Sequence, residues 1–155
     1  MSIELNDYRL VFSHNGKSFI YDTSTSLIKQ VSSAGKEDPN AEGQFGPGFM
    51  TTHEFSRRIR IDGCMKVAEK KCAPINGFVL DFTSNDIQTL ITKMKEQIKN
   101  ADDLLDGTLL SQPIPATIIP YYLDDVHFPV AEQEVDNAMR LLSYVVVINS
   151  RIERV

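Results

Sequence analysis

The sequence predicts an α+β domain in which an N-terminal antiparallel β-meander and two main helices pack on one sheet. Short strand-forming runs between turn residues dominate the first part of the chain, and strong helical periodicity is confined to two later segments. Strands followed by helices, without regular β–α–β alternation, are typical of α+β proteins. The 155 residues fit a single domain spanning 1–155, and 42% hydrophobic with 24% charged residues is an ordinary globular composition.

Two strand-forming runs at the N-terminus predict a β-hairpin. Residues 8–12 and 18–21 flank Asn15-Gly16, a dipeptide that accepts the positive φ angles of a tight hairpin turn. A polar turn then leads to residues 27–31, which we predict as the third strand of the meander. Residues 32–48 are rich in glycine, proline and polar side chains, and they predict a long, exposed and flexible loop.

The segment after this loop is ambiguous between helix and strand. Thr51 and Glu54 have the spacing of a capping box, which favours a short helix. Residues 55–61 alternate between apolar and polar side chains as a strand does, except at Arg57. Both alternatives stay open, and residues 65–71 predict a further short helix.

The first main helix follows a buried strand predicted at residues 78–82. Polar residues 83–86 offer helix caps, and apolar residues recur at steps of three and four between positions 87 and 98. This pattern predicts a helix over about residues 84–100. Asp106-Gly107 ends the helical region.

The C-terminal part of the chain predicts an edge strand and the second main helix. Prolines 113, 115 and 120 surround the strand-forming residues 114–123, and proline cannot donate to a sheet ladder. Pro129 fits the first position of the last helix. The predicted inner stripe of this helix consists of Val135, Ala138, Met139, Leu142, Val145 and Val146. The β-branched run at 144–148 weakens the helix prediction there.

Charge is unevenly distributed along the chain. The net charge is −5, yet residues 51–75 carry six Lys or Arg against three acids, and residues 101–137 carry eight acids with no Lys or Arg. The basic cluster, which includes Arg57, Arg58 and Arg60, is interpreted as solvated surface or as a counterweight to the acidic segment. Nucleic-acid binding is unlikely on this evidence, because nucleic-acid-binding domains usually have a strongly basic balance.

The acidic segment leads to the first functional hypothesis. Its carboxylates would project a negative field that steers a basic partner, and nearby tyrosines would anchor it. The expected partner-binding residues are Asp102, Asp103, Asp106, Tyr121, Tyr122, Asp124 and Asp125. The protein would then be a non-enzymatic inhibitor that occludes a basic surface of a partner protein. Immunity proteins that neutralise basic nuclease toxins act by the same physics, which is an analogy of charge and size.

The second hypothesis is a small metal-assisted or acid–base hydrolase. If residues 121–129 are extended, Asp125 and His127 point to the same face and could share a metal ion or a proton, with Asp124 as an additional candidate. No third ligand stands at a characteristic spacing, so no metal, cofactor or catalytic residue is assigned. In the plainer alternative, Asp124-Asp125 is a polar turn near the positive end of the last helix dipole.

A third hypothesis makes the chain a subunit of a larger assembly, with the apolar C-terminal helix as its contact. The N-terminus has no signal-peptide pattern, and no apolar run approaches the roughly 20 residues of a membrane-spanning helix. We therefore expect a cytoplasmic protein with no membrane contact. In that compartment Cys64 and Cys72 are expected to be reduced thiols. Common hydrolase, nucleotide and zinc motifs are missing from the sequence.

Overall fold

The computed structural model describes residues 2–29, 52–112, 114 and 116–148, with only the backbone at 142, 143, 145, 146 and 148. Within these ranges a mixed six-stranded sheet is covered by three helices, which confirms the α+β prediction. The elements are β1 (Ser2–Asn6), β2 (Arg9–His14), β3 (Phe19–Ile20), α1 (Tyr21–Lys29), β4 (Arg58–Ala68), β5 (Lys71–Asp81), α2 (Ile87–Leu105), β6 (Thr117–Tyr122) and α3 (His127–Ile148). A short 3₁₀ helix, Thr52–Glu54, precedes β4. The predicted loop at 32–48, Thr51 of the capping box, Pro113 and Pro115 lie outside the described residues.

Strand β4 is the centre of the sheet. One edge of β4 pairs antiparallel with β5, while the other edge pairs antiparallel with β6 and then parallel with β3. Strands β2 and β1 follow β6, both antiparallel. The prediction that β6 is an edge strand is therefore wrong. Pro120 stands opposite Val11 of β2, and pairing with strands on both sides outweighs its one missing donor.

The N-terminal strands are antiparallel, as predicted, but they form through a different turn. Asp7 and Tyr8 both have positive φ angles, of 42° and 58°, and connect β1 to β2. Such angles suit the tight hairpin turn whose twist matches paired strands. The predicted hairpin around Asn15-Gly16 does not form, because β2 uses its second edge to pair with β6. The Gly16 N–H instead donates to His14 Nδ1 at 3.0 Å.

The predicted third strand at 27–31 is wrong where the structure describes it, because these residues belong to α1. The Thr25 and Ser26 hydroxyls donate to the Asp22 carbonyl oxygen at 3.2 and 2.5 Å, so their polar groups are satisfied inside the helix. Ile28 is fully buried and fixes the helix on the core. Tertiary burial of the apolar face thus overrides the local turn signal.

The predicted helix at 65–71 is also wrong, because β4 continues to Ala68 and β5 begins at Lys71. The two strands form a long hairpin with a bulge at Gly77, which has a φ of +77°. A Cβ atom at Gly77 would lie 3.0 Å from Arg60 Cζ. The bulge therefore needs glycine both for its backbone angle and for the close approach of Arg60.

The sheet has two different faces. Side chains at alternate positions of the central strands, including Ile59, Ile61, Leu80 and Tyr121, point inward and form the core with the three helices. The opposite side chains, including Arg58 and Tyr122, point away from the core. We call this side of the sheet the outer face.

Helix α2 confirms the periodicity argument and ties the end of β5 in place. The Asp86 side chain caps the helix by accepting from the Thr89 N–H at 2.8 Å. Gln97 is buried, accepts from the Asp81 N–H at 3.1 Å and donates to the Asp81 carbonyl at 3.0 Å. These bonds fix the last residue of β5 against the helix.

Helix α3 begins at His127, so Pro129 lies in its first turn rather than at its first position. Ala131 is fully buried and Val135 partly buried on the core side, whereas Met139 is 65% exposed and does not belong to the inner stripe. The side chains of Leu142, Val145 and Val146 lie outside the described part. Across the described ranges, no helix is long and apolar enough to span a membrane.

Cys64 and Cys72 are free thiols, as expected. Both are buried; Cys64 Sγ faces the Ile114 carbonyl oxygen, and Cys72 Sγ lies 3.0 Å from the Gln112 carbonyl oxygen. Burial, together with the neighbouring Cys64, raises the pKa of Cys72. The Cys72 thiol is therefore protonated at neutral pH and weakly nucleophilic.

Candidate functional site

A cleft opens at the end of the sheet where β4 begins and where β5 and β6 end. Because β4 is antiparallel to both neighbours, its first residues lie beside their last residues. The cleft has a volume of about 340 Å³, which is in the range of small-molecule sites. It is lined by His53, Phe55, Ser56, Arg57, Arg58, Thr83, Tyr122, Leu123, Asp124 and His127.

The Asp124 side chain fixes the wall of the cleft that α3 supplies. Its Oδ1 atom accepts from the backbone N–H groups of Val126 and His127 at 3.0 and 2.8 Å. The Asp124 carbonyl accepts the first helical bond, from the Phe128 N–H at 2.9 Å. Asp124 therefore caps the turn that leads into α3, and the buried Leu123 before it closes the turn on the core.

His127 is held by the same carboxylate. Its Nδ1 atom lies 2.5 Å from Asp124 Oδ1. The hydrogen bonds from the backbone N–H and the imidazole of His127 hold the pKa of Asp124 below the usual value. An ionised carboxylate only accepts hydrogen bonds, so Nδ1 carries the proton and Nε2 is left to exchange a proton with a ligand. The side chain of His127 is 40% exposed, so that a ligand can reach it.

His53 supplies a second imidazole from the 3₁₀ helix. Its ring contacts Phe82 with the centroids 5.0 Å apart. Burial and then the charge of Arg57 lower the pKa of His53 from 6.5, so the ring is neutral at pH 7. The cleft thus contains two histidines, each held by a different structural element.

Two arginines give the cleft a positive charge. Arg57 and Arg58 are exposed, and neither forms an ion pair within the described ranges. Their backbones are fixed, because the Arg57 carbonyl accepts from the Phe82 N–H at 2.9 Å and the Arg58 N–H donates to Ser56 Oγ at 3.2 Å. Guanidinium groups suit oxyanions, since their N–H donors match carboxylate and phosphate oxygens in pairs.

The negative charge of Asp81, the last residue of β5, is balanced by Lys93, and its carboxylate also accepts hydrogen bonds from Thr83. Asp81 Oδ2 lies 3.1 Å from Lys93 Nζ, and Asp81 Oδ1 accepts from the Thr83 N–H and hydroxyl at 2.8 and 2.5 Å. Burial raises the pKa of Asp81, but the bonds from Thr83 and the charge of Lys93 outweigh it and lower the pKa overall. The two arginines are thus left available for an external anion.

The structure brings together only part of the predicted acid–base group. Asp124, rather than Asp125, contacts His127, because residues 124–127 form a turn that leads into α3 and not a strand. Asp125 is exposed and is not among the residues that line the cleft. The alternative of a polar turn ahead of the helix was the correct local structure.

The residues expected to bind a partner occupy separate places. Asp102, Asp103 and Asp106 lie at the C-terminal end of α2, where the Tyr21 hydroxyl donates to Asp102. Asp124 lies near Thr83, at the opposite end of this helix. From the helical rise, Asp86 and Asp103 are about 25 Å apart, which exceeds two Debye lengths at physiological salt.

The two tyrosines that were expected to bind a partner differ in their exposure to solvent. Tyr121 is 6% exposed and belongs to the core, where its side chain bonds Thr52, so it cannot anchor a partner. Tyr122 is 47% exposed and lines the cleft. The seven residues therefore do not form one continuous surface.

Sequence reasoning did not connect His53, Arg57, Arg58 or Tyr122 with His127. These residues meet only through the pairing of β4 with β6, about sixty positions apart. Within the described ranges, no three His, Cys, Asp or Glu side chains gather as metal ligands. No protein-family model, curated protein or solved structure matches the chain.

Proposed function

We propose that the protein is an acid–base catalyst that hydrolyses a phosphate ester bound in this cleft. The observation that carries the proposal is the Asp124–His127 pair, 2.5 Å apart, in a cleft that also presents Arg57 and Arg58. The pair supplies an oriented base, and the arginines supply charge for an oxyanion. Each pair is local in sequence, and the arginine pair meets the Asp124–His127 pair only because the sheet forms.

The arginines would bind the phosphate group of the substrate. Their positive charge offsets the phosphate oxygens, and it reduces the repulsion that a nucleophile meets as it approaches phosphorus. Because bonds to Phe82 and Ser56 already fix the backbones of Arg57 and Arg58, only their side chains need to rearrange on binding.

His127 would activate the attacking water. Its Nε2 atom takes one proton from water while the water oxygen forms a bond to phosphorus and the bond from phosphorus to the leaving alcohol breaks. Asp124 stabilises the resulting imidazolium through Nδ1. The leaving alkoxide takes a proton from solvent, and the imidazolium then releases its proton to solvent, which restores the neutral ring.

Replacing both Arg57 and Arg58 with alanine is expected to lower kcat/KM for a phosphodiester by about ten- to a hundredfold. Loss of one charge-assisted hydrogen bond costs about 1.5–3 kcal/mol, and because both arginines are exposed, solvent screening keeps the combined loss close to that of one bond. Initial rates with bis(4-nitrophenyl) phosphate, measured over a range of concentrations, give kcat and KM.

Arg140→Ala on the exposed part of α3 is the matched control and is expected to leave these rates unchanged. If the wild-type protein turns over neither this diester nor 4-nitrophenyl phosphate, or if the double variant is as active as wild type, the proposed function is wrong.

The inhibitor function remains a second proposal in a narrower form. Asp102, Asp103 and Asp106 are exposed at the C-terminal end of α2, where no basic residue occupies the last turn. Negative charge at this end of a helix opposes its dipole, so these acids do not serve helix stability. They would instead attract a cationic protein.

Joint reversal of these three aspartates to lysine is expected to slow association with a basic protein such as lysozyme by tenfold or more at low salt, on the order of steering effects. Stopped-flow binding at low and high ionic strength measures this effect. Glu132, Glu134 and Asp136, reversed together on α3, provide the control. Equal slowing by both triple variants would refute a specific acidic surface.

A further inference from the structure

The outer face carries a row of side chains that leads into the cleft. Arg9 of β2 stands opposite Tyr122 of β6, and continuing the register of β6 with β4 places Arg58 on the other side of Tyr122. Neighbouring strands are about 4.8 Å apart, so the row from Arg9 to Arg58 spans about 10 Å. A solvent-accessible aromatic ring thus lies between two guanidinium groups.

Tyr122 is accessible on this face and lies close to Arg60. Its side chain is 47% exposed, and the pKa of Arg60 is raised first by its bond to Asp62 and in small part by Tyr122. Arg60 bonds both carboxylate oxygens of Asp62, at 2.9 and 3.1 Å. The open ring of Tyr122 therefore lies beside an ion pair whose charges balance.

The charges around this ring favour an anionic partner. The negative charge of Asp62 is balanced by Arg60, and that of Asp81 by Lys93. Arg9 and Arg58 form no ion pair within the part of the chain that the structure describes. Glu4 also belongs to the outer face, opposite Val11 in the next row, and lies farther from Tyr122 than the two arginines do.

The outer face is continuous with the cleft, because Tyr122 and Arg58 belong to both. A planar group stacked on Tyr122 would place an attached phosphate near Arg57 and Arg58, at the entrance to the site of His127. The net charge of −5 argued against nucleic-acid binding. A net charge is a sum over the whole chain, however, and does not describe the charge of one surface.

We infer that the substrate class is single-stranded nucleic acid, with one base stacked on Tyr122 and the adjoining phosphodiester held by Arg57 and Arg58. This inference rests on the proposed phosphate-ester hydrolysis. Aromatic side chains on open sheets bind unpaired bases by stacking, and flanking cations contact the backbone. A duplex keeps its bases stacked on each other, so it cannot use Tyr122 in this way.

Binding of labelled oligonucleotides of about ten nucleotides, a length within known single-strand site sizes, tests the inference by fluorescence anisotropy. All proteins carry His127→Ala so that the strand stays intact. Single-stranded RNA and DNA are expected to bind comparably, and the duplex more weakly. Adding Tyr122→Ala should raise Kd by about ten- to a hundredfold, the effect of losing one stacked base, while Tyr122→Phe should retain binding.

Two further variants test whether binding depends on Tyr122 in particular and on a phosphate contact at Arg9. Tyr144→Ala removes a tyrosine that is 65% exposed on α3, and it is expected to leave Kd unchanged. Arg9→Ala should reduce the slope of log Kd against log salt by about 0.7, which corresponds to one lost phosphate contact on a single strand. Equal binding of duplex and single strand, or equal losses for Tyr122→Ala and Tyr144→Ala, would overturn the inference.

The binding assay tests the substrate class and the hydrolysis assay tests the proposed function, so one hypothesis can be refuted while the other stands. If bis(4-nitrophenyl) phosphate is hydrolysed but no oligonucleotide binds, the proposed function stands and the substrate class is wrong. If oligonucleotides bind through Tyr122 but neither they nor the small diester are cleaved by protein with intact His127, the surface stands and hydrolysis is wrong.

Discussion

Replacing His127 with alanine is expected to lower kcat for phosphodiester hydrolysis by about 10²–10⁴-fold, the usual contribution of a positioned general base. The alanine variant keeps the Asp124 cap, because the backbone N–H of residue 127 still donates to the carboxylate. The fold should therefore survive, and the thermal midpoint checks this. Asp124→Asn should also lower kcat, since an amide oxygen can cap the helix but stabilises an imidazolium poorly.

His14→Ala is the control for this result. His14 ends β2, is partly buried and does not line the cleft. Initial rates with bis(4-nitrophenyl) phosphate should distinguish the two histidines. If both alanine variants hydrolyse the diester at the wild-type rate, or both lose rate equally, His127 is not the base.

Replacing Ile59 with alanine is expected to lower the free energy of unfolding by about 2–5 kcal/mol, the range for truncating a large aliphatic core residue. Ile59 has no exposed surface and stands opposite Leu80 on one neighbouring strand and Tyr121 on the other, both buried. The truncation would leave a cavity at the centre of the sheet. Urea titration followed by circular dichroism measures the change.

Ile87→Ala makes the same chemical change at a residue that is 62% exposed. Surface substitutions usually change stability by less than about 0.5 kcal/mol, and alanine favours the helix at this position. If Ile59→Ala unfolds with the same free energy as the wild-type protein, the assignment of Ile59 to the core is wrong. A loss of similar size at Ile87 would contradict its exposure.

Local patterns predicted α2 well, because its evidence lies within a few turns of one helix. Asp86 caps the helix as expected, and Leu90, Met94 and Ile98 of the apolar stripe pack on the core, whereas Ile87 and Ile91 are exposed. The strand order was not predictable in this way. Asn15-Gly16 has the chemistry of a hairpin turn, but β6, a hundred positions later, pairs with β2 and decides the outcome.

The same difference between local patterns and long-range strand pairing applies to the residues of the candidate site. Asp124 and His127 are three positions apart, so sequence alone pointed to this neighbourhood, although the choice of Asp125 assumed a strand where a helix begins. Arg57, Arg58 and Tyr122 could not be assigned to it, because their proximity depends on the β4–β6 ladder. The separation of Asp102, Asp103 and Asp106 from Asp124 by the length of α2 was not predictable for the same reason.

The position of β4 at the centre of the sheet has a consequence for how the chain matures. Arg58 begins β4, and His127, on the far wall of the cleft, is made 69 residues later. At about 5–20 residues per second, ribosomes need roughly 3–14 s to cover that interval. Until then a nascent chain holds one wall of the cleft without the other, so the complete cleft forms only after His127 has been made.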